Sequence, residues 1–544
     1  MRVVVAAFLV LLGIGVAHAD TAALSGTVSS AAEGKMEGVL VSATKSDNTI
    51  TVTVVSDAEG RYRFPEAKLP PGQYTLDIRA IGYVLDKAPS VTVAKDQAAQ
   101  ADLPLAQAPD IAAQLTNTEW LESMPGSDED KRALLECQSC HTVERIVSSK
   151  HSADEFVQVL NRMANYANNS TPLHPQKRVA QRTPKADLAR AAANYLATIN
   201  LSAGPHWSYA LKTLPRPQGA ATHAIITEYH LPRDSMAPHD VLRDKDGIIW
   251  FSEFSDHAIG AFDPKTGKVT EYPIPSPKPN FPTGTLDLEA DGHGDYWFAM
   301  MFQTGLAKFD PQTKAVQIFP IPAALNSDAA QQSMVMPKGL AADGKVWTNM
   351  VNRQSVMRLD LATGAFELID PFAGVAKEKG VEHSPYGMVV DGKNDLYFMD
   401  FGDTNIVRID AKTLEPTIYP TPTPASRPRR GMIDGEGRIW FAEFAGDRLG
   451  MFDTKTTKIR EFPLPDRWTS PYDAALDKEG KVWSGGMSSD RVQRLDPETG
   501  TVIEYLLPHQ TNIRRIFVDN STPHPTFWAG NNHHAAIIKL ELAE

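Results

Sequence analysis

Hydrophobic and polar positions change period three times along the chain. Residues 24–28, 38–43, 51–55, 61–64 and 74–78 alternate apolar and polar side chains in short runs, separated by turns such as Asp57-Ala-Glu-Gly60 and Pro70-Pro-Gly72. Period-two runs bounded by Gly and Pro read as strands, and five of them within residues 20–106 predict a β-sandwich. From residue 107 to about 205 the period becomes helical. Residues 128–137 lead into Cys137-Gln-Ser-Cys-His141, Ser152-Ala-Asp-Glu155 is a capping box for a helix through Tyr166, and Thr183-Pro184 opens a third helix to about Ile199. Three helices around one Cys-X-X-Cys-His predict a small all-α domain. Its flanks, 104–118 and 201–222, are rich in Pro, Ala and Gly and read as linkers.

The rest repeats. Trp250, Trp297, Trp347, Tyr397, Trp440, Trp483 and Trp528 are 47, 50, 50, 43, 43 and 45 residues apart, each in a strand-like run usually preceded by an Asp/Gly turn. A period of 40–50 residues with one aromatic strand per unit predicts propeller blades. Units end in similar strands, such as 271–275, 318–322, 418–422, 461–465 and 504–508, yet one such strand, 228–232, precedes the first full unit and the last unit lacks its own. Pairing the early strand into the final unit joins the ends of the ring and removes an exposed edge. The expectation is a seven-bladed β-propeller over 223–544 in a multidomain chain.

Composition narrows the partners. The chain has 544 residues, 42% hydrophobic and 22% charged, so disordered and fibrous readings are excluded. Lys plus Arg number 54 against 66 Asp plus Glu, a net charge of −12, which does not suit nucleic acid. At the start, Arg2, an apolar stretch from Val3 to Val16 and Ala17-His-Ala19 form a three-part export signal, residues 1–19, cut after Ala19. The apolar run is too short to anchor in a bilayer, so the mature chain is expected in the periplasm without a membrane span.

Only two cysteines occur, three positions apart, so no disulfide framework exists. Cys137 and Cys140 followed by His141 form the attachment signature of haem c: two thioethers and a proximal iron ligand on one helical turn. This makes residues 107–205 a cytochrome c domain. On the helix beginning at Ser152, Phe156, Leu160 and Met163 share a face, so Met163 is the expected distal iron ligand, with His174 as its rival. A bound haem implies an electron partner, either a redox protein or a quinone-linked chain.

Two resemblances add expectations. Gly26, Val28, Gly38, Asp57, Gly60, Tyr62, Leu69-Pro-Pro-Gly72 and Gly82-Tyr83 resemble the carboxypeptidase-regulatory-like domain, an accessory module. Pro238-His239, Asp246-Gly247, Trp250-Phe-Ser-Glu253, Ile259-Gly260 and Thr270-Glu-Tyr-Pro-Ile-Pro275 resemble the streptogramin (virginiamycin B) lyase family, with a second close copy at 435–465. That family opens a cyclic depsipeptide with a His base and magnesium held by Glu. The resemblance implies His239 as base and Glu253 as a magnesium ligand. Ala237 stands where a second Glu is expected, and Arg514 where a second His is. Glu443 and Asp400 recur at the place of Glu253, which equally suits a structural acceptor for loop N–H groups. Turns such as 263–268 and 496–500 are similar to those of quinone-dependent dehydrogenases, but the eight blades and adjacent-Cys disulfide of that family are missing, so no quinone cofactor is expected.

Aligning the units places His239, Thr283, Lys338, Tyr386, Arg429, Tyr472 and Arg514 around one mouth of the ring, with Arg430 and Arg515 directly following. This cationic ring suits a small anionic ligand through Lys338, Tyr386, Arg429, Arg430 and Arg514. The expected function is an exported monohaem electron-transfer protein whose propeller binds that ligand. The alternatives are a carbon–oxygen lyase with an accessory haem, and a periplasmic redox or ligand sensor.

Overall fold

The computed structural model describes residues 22–46, 48–375 and 382–543. Residues 1–19, read as an export signal, lie outside that set. Among the described residues no helix is long and apolar enough to cross a membrane.

The alternating runs near the start form two facing sheets. In one, Ala22–Ser30 pairs with Arg61–Pro65 and, in parallel, with Leu103–Gln107; in the other, Leu40–Lys45 lies between Ile50–Val55 and Gly72–Arg79. Their inward positions, including Leu24, Val28, Val41, Val54, Phe64, Leu76 and Leu103, make one apolar core, as period-two burial requires.

The middle segment contains five helices: α1 (Asn117–Ser123), α2 (Asp128–Cys137), α3 (Glu144–Val147), α4 (Ala153–Met163) and α5 (Ala186–Ile199). Capping boxes at Thr116, Ser127 and Ser152 open α1, α2 and α4. Helix α1 begins in a stretch read as linker: Thr116 and Glu119 cap it, and Trp120 and Leu121 are fully buried. The second flank is packed as well. Trp207 lies against Trp120 with ring centroids 5.0 Å apart and donates to the Val147 carbonyl at 3.0 Å, and Tyr209 donates to the Ile199 carbonyl at 2.7 Å. Aromatic anchors among the prolines, rather than composition, decide its state.

The repeats form six four-stranded antiparallel sheets at residues 238–273, 286–320, 335–369, 385–420, 428–463 and 475–506. A seventh is built from Ile513–Asp519, Thr526–Asn531 and Ala536–Leu542 together with Ala224–His230, which pairs antiparallel with Ala536–Leu542. The early strand therefore completes the last blade. Innermost strands contact one another in succession, and Pro238–Arg243 contacts Ile513–Asp519, closing the ring. Unexpectedly, Ala224–His230 also pairs on its other edge with Ile50–Val55, so the last blade and half of the sandwich form one eight-stranded sheet.

Candidate functional site

The Cys137–His141 loop sits on the mouth of the ring. Gln138 and Ser139, the two residues between the cysteines, are held by the propeller: Asn512 Nδ2 donates to the Gln138 carbonyl at 2.9 Å, Ser488 Oγ to Gln138 Oε1 at 2.7 Å, and Arg514 Nη2 to the Ser139 carbonyl at 2.7 Å. Ion pairs Arg427–Glu136 and Arg467–Asp128, at 2.8 and 2.7 Å, flank these bonds. Apolar packing is continuous across the junction, since Trp120, Leu134, Leu135 and Phe156 share a core with Phe444, Trp468, Tyr472 and Met487. The segment after α4 docks separately. Gln176 Nε2 donates to the Ser255 carbonyl at 2.9 Å, Gln176 Oε1 accepts from the Thr283 amide at 2.7 Å, and Ser255 Oγ donates to the Asn169 carbonyl at 2.8 Å.

The residues of the loop suit haem c. Both thiols are free, and burial pushes Cys137 up to about 12 and raises Cys140, so neither is a thiolate poised for disulfide exchange. His141 Nδ1 lies 3.0 Å from the Thr142 carbonyl, the bond that fixes a ligating imidazole and leaves Nε2 for a metal. The helical segment also carries exposed large apolar side chains, Met163, Leu173, Val179 and Leu188, a composition that suits an apolar macrocycle. Met163 ends α4 with its side chain 36% exposed. His174 Nε2 is instead 3.7 Å from Asp256 Oδ1 of the propeller.

The expected ring of mouth residues is largely brought together, but its charge is not as expected. Lys338 pairs with Glu289 at 2.8 Å, Arg430 with Asp287 and with Asp240 at 3.6 Å, and Arg515 with Asp287 at 3.0 Å and with Glu289. Asp473 is the fourth carboxylate acting on Arg430 and Arg515. Burial opposes the charge on Asp240, yet His239 and the two guanidiniums hold it below the carboxylate range. Lys338 and Arg430 are thus neutralised, and the cationic funnel is corrected to a balanced network in the channel. The missed acids were visible in sequence: Asp240 and Asp473 directly follow His239 and Tyr472.

Arg429 and Arg514 differ, for neither meets a carboxylate. Arg429 is 92% buried in a box of aromatic rings, its guanidinium carbon 3.8 Å from the Tyr472 centroid, 4.2 Å from Phe401, 4.4 Å from Phe444 and 5.6 Å from Tyr386; its Nε has no partner. Arg514 lies 4.3 Å over Phe254 and donates Nε to Asn512 Oδ1 at 2.8 Å and Nη2 to the Ser139 carbonyl at 2.7 Å. Burial lowers its pKa.

His239 is fully buried, its Nε2 is 3.1 Å from Tyr472 Oη, and burial pushes it down to about 3, so the ring is neutral. Glu253 is fully buried beside it in the first blade. Its Oε2 accepts from the Ala237 amide at 3.2 Å and burial raises it to about 8. One protonated carboxyl does not suit magnesium, which needs several oxygen ligands. A different group, His383, Asp400 and Asp403, brings ligand atoms within 4.8 Å of one another. Asn405 Nδ2 already donates to both carboxylates, at 3.3 and 2.9 Å, and the Ser384 amide to Asp400 at 2.7 Å, which satisfies these acids without an ion.

Comparison with known proteins agrees with this architecture. Residues 373–543 match the virginiamycin B lyase family. Residues 23–106 match the carboxypeptidase regulatory-like domain. A streptogramin B lyase structure superposes with a TM-score of 0.50 at 22% identity, covering 60% of this chain and 100% of its own. A catalytically inactive virginiamycin B lyase from Staphylococcus aureus with quinupristin gives 0.50 at 20% identity, covering 59% and 99%. No curated protein matches the chain. These likenesses establish a lyase-like propeller fold behind an N-terminal β-sandwich.

Proposed function

We propose that this is an exported, periplasmic monohaem c protein that exchanges electrons while its propeller mouth holds a small anion beside the haem-attachment loop. Cys137 and Cys140 would carry the haem and His141 would be its proximal ligand, with Met163 distal. When bound, the haem supplies one-electron chemistry, and a redox protein or quinone-linked chain takes the other side of the exchange. The observation that carries the reading is Arg514: it grips the Ser139 carbonyl between the two cysteines and has no carboxylate of its own. Together with Arg429 it leaves two buried cations in need of an anion, directly under the loop. The chain's own work is to bind and orient that anion and to keep water from it.

The match over residues 373–543 favours a second reading, a carbon–oxygen lyase with an accessory haem. Here His239 would take a proton. Its Nε2 already faces Tyr472, and a ring pushed down to about 3 is a weak base at neutral pH, so the electron-transfer reading is the stronger.

The test is the visible spectrum of the oxidised, haem-loaded protein under anaerobic conditions during addition of fractionated anionic metabolites. A fraction that reduces the haem, and does so at least roughly tenfold more slowly with Arg429→Ala, supports the proposal. Consumption of a compound while the haem stays oxidised would instead establish lyase chemistry.

A further inference from the structure

Beside Arg429 a single chain of hydrogen-bonding groups runs from the channel to the mouth. Asp240 Oδ2 accepts from Ser252 Oγ at 2.6 Å and from the Asp287 amide at 2.8 Å, and His239 Nδ1 lies 3.2 Å from the same oxygen. His239 Nε2 is 3.1 Å from Tyr472 Oη, which is 2.6 Å from Tyr386 Oη. Asp240, His239 and Tyr472 are fully buried; Tyr386, at the outer end, is half-buried.

Chemistry fixes the direction of this chain. Asp240 is ionised beside Arg430 and Arg515, at 3.6 and 3.8 Å. His239 Nδ1 faces that carboxylate at 3.2 Å without an aligned hydrogen bond, and a bare lone pair there would be repelled, so the proton of the neutral imidazole sits on Nδ1 and Nε2 is left as an acceptor. Tyr472 must then donate to Nε2, and Tyr386 must donate to Tyr472. The Tyr386 hydrogen is therefore committed inward, and its oxygen presents only lone pairs to the mouth. Over the same ring, 5.6 Å from its centroid, stands the guanidinium of Arg429, whose Nε has no protein partner.

We infer that the anion held by Arg429 and Arg514 carries a hydroxyl group that donates to Tyr386 Oη, which makes the ligand class a hydroxycarboxylate. A planar guanidinium pairs with the carboxylate through parallel N–H bonds, and the fixed phenol oxygen reads the hydroxyl. An otherwise identical acid without the hydroxyl leaves that oxygen unmatched, and sites built to bond a hydroxyl discriminate strongly against analogues lacking it. The inference rests on the anion-site reading above and sharpens it.

Isothermal titration calorimetry on the full-length, haem-loaded protein tests it with three matched pairs: glycolate and acetate, lactate and propionate, 4-hydroxybenzoate and benzoate. In any pair that binds, the hydroxylated acid is expected to bind about tenfold tighter or more. Tyr386→Phe should bring that ratio close to one while binding of the plain acid persists. Arg429→Ala should weaken both members alike. Tyr472→Phe, which frees the Tyr386 hydrogen to turn outward, should also reduce the ratio. Equal affinities within every binding pair, or a preference that survives Tyr386→Phe, overturns the hydroxyl inference and leaves the anion site standing. Failure of all six acids to bind overturns both.

Discussion

Glu253 ends the second strand of the first blade with its carboxyl walled off from water, and Glu443 occupies the same place in the fifth blade. Burial pushes both up to about 8. In the unfolded chain each titrates near 4.5, so between these values the folded protein holds a proton that the unfolded chain has lost. Stability contributed by the protonated acid therefore falls as pH rises through that window and levels off above it. Glu253→Gln, which keeps the shape without the ionisation, should remove on the order of 3–5 kcal/mol of that decline. Urea denaturation at pH 5, 7 and 9 checks this: the variant should match the parent at pH 5 and exceed it at pH 9, with a remaining slope from Glu443. The same titration bears on metal binding, because a carboxyl that is neutral at pH 7 is a poor partner for a hard cation.

At the scale of the element, the aromatic period was legible because it marks a repeated clamp. Trp250, Trp297, Trp440 and Trp483 each donate an indole N–H to an aspartate six residues earlier, Asp244, Asp291, Asp434 and Asp477, at 2.8–3.1 Å. The same aspartates hold the turn that begins the strand, so one side chain fixes both turn and strand. Asp434→Ala should cost about 2–3 kcal/mol, since it strands a buried indole donor and opens the turn together. Chemical denaturation of this variant against Asp453→Ala, a partly exposed acid of the same blade that also holds a turn, separates the indole bond from the loss of turn and charge. Repeated glycines have an equally local cause: a Cβ at Gly260 or Gly450 would lie 2.1 or 2.2 Å from the ring of Phe251 or Phe441. The sandwich strands, the second helix and the closure of the ring by residues 224–230 were also readable, since each rests on local periodicity or on a strand out of place. The helix opening at Thr116 was hidden by its Pro- and Ala-rich surroundings, although its capping box was written in four residues.

Across the whole molecule, legibility fails where contacts join residues far apart in the chain. Arg430 of the fifth blade meets Asp287 of the second only because the ring closes, 143 positions away, and a reading that aligns blade with blade sees each cation without its acid. Nor does any local pattern announce that the helices of residues 117–199 rest on the propeller rather than trail from it. That docking makes a prediction of its own. Asn512 and Arg514 are the two propeller side chains that donate to the carbonyls between Cys137 and Cys140. One bond is neutral and the other charge-assisted, worth about 1 and about 2 kcal/mol. Besides the Ser488 bond to the Gln138 side chain, the loop is closed by weak turns of its own, at 3.3 and 3.4 Å from the Cys140 and His141 amides to the Cys137 carbonyl. In the double variant Asn512→Ala, Arg514→Ala the loop should open locally more often, and its amide protection should fall about tenfold to a hundredfold by hydrogen exchange. The strands of blades one to six should keep their protection, because their ladders do not depend on the loop. Unchanged exchange at residues 138–141 would mean that the apolar junction of Trp120, Leu134, Trp468 and Tyr472 is enough to hold the loop in place.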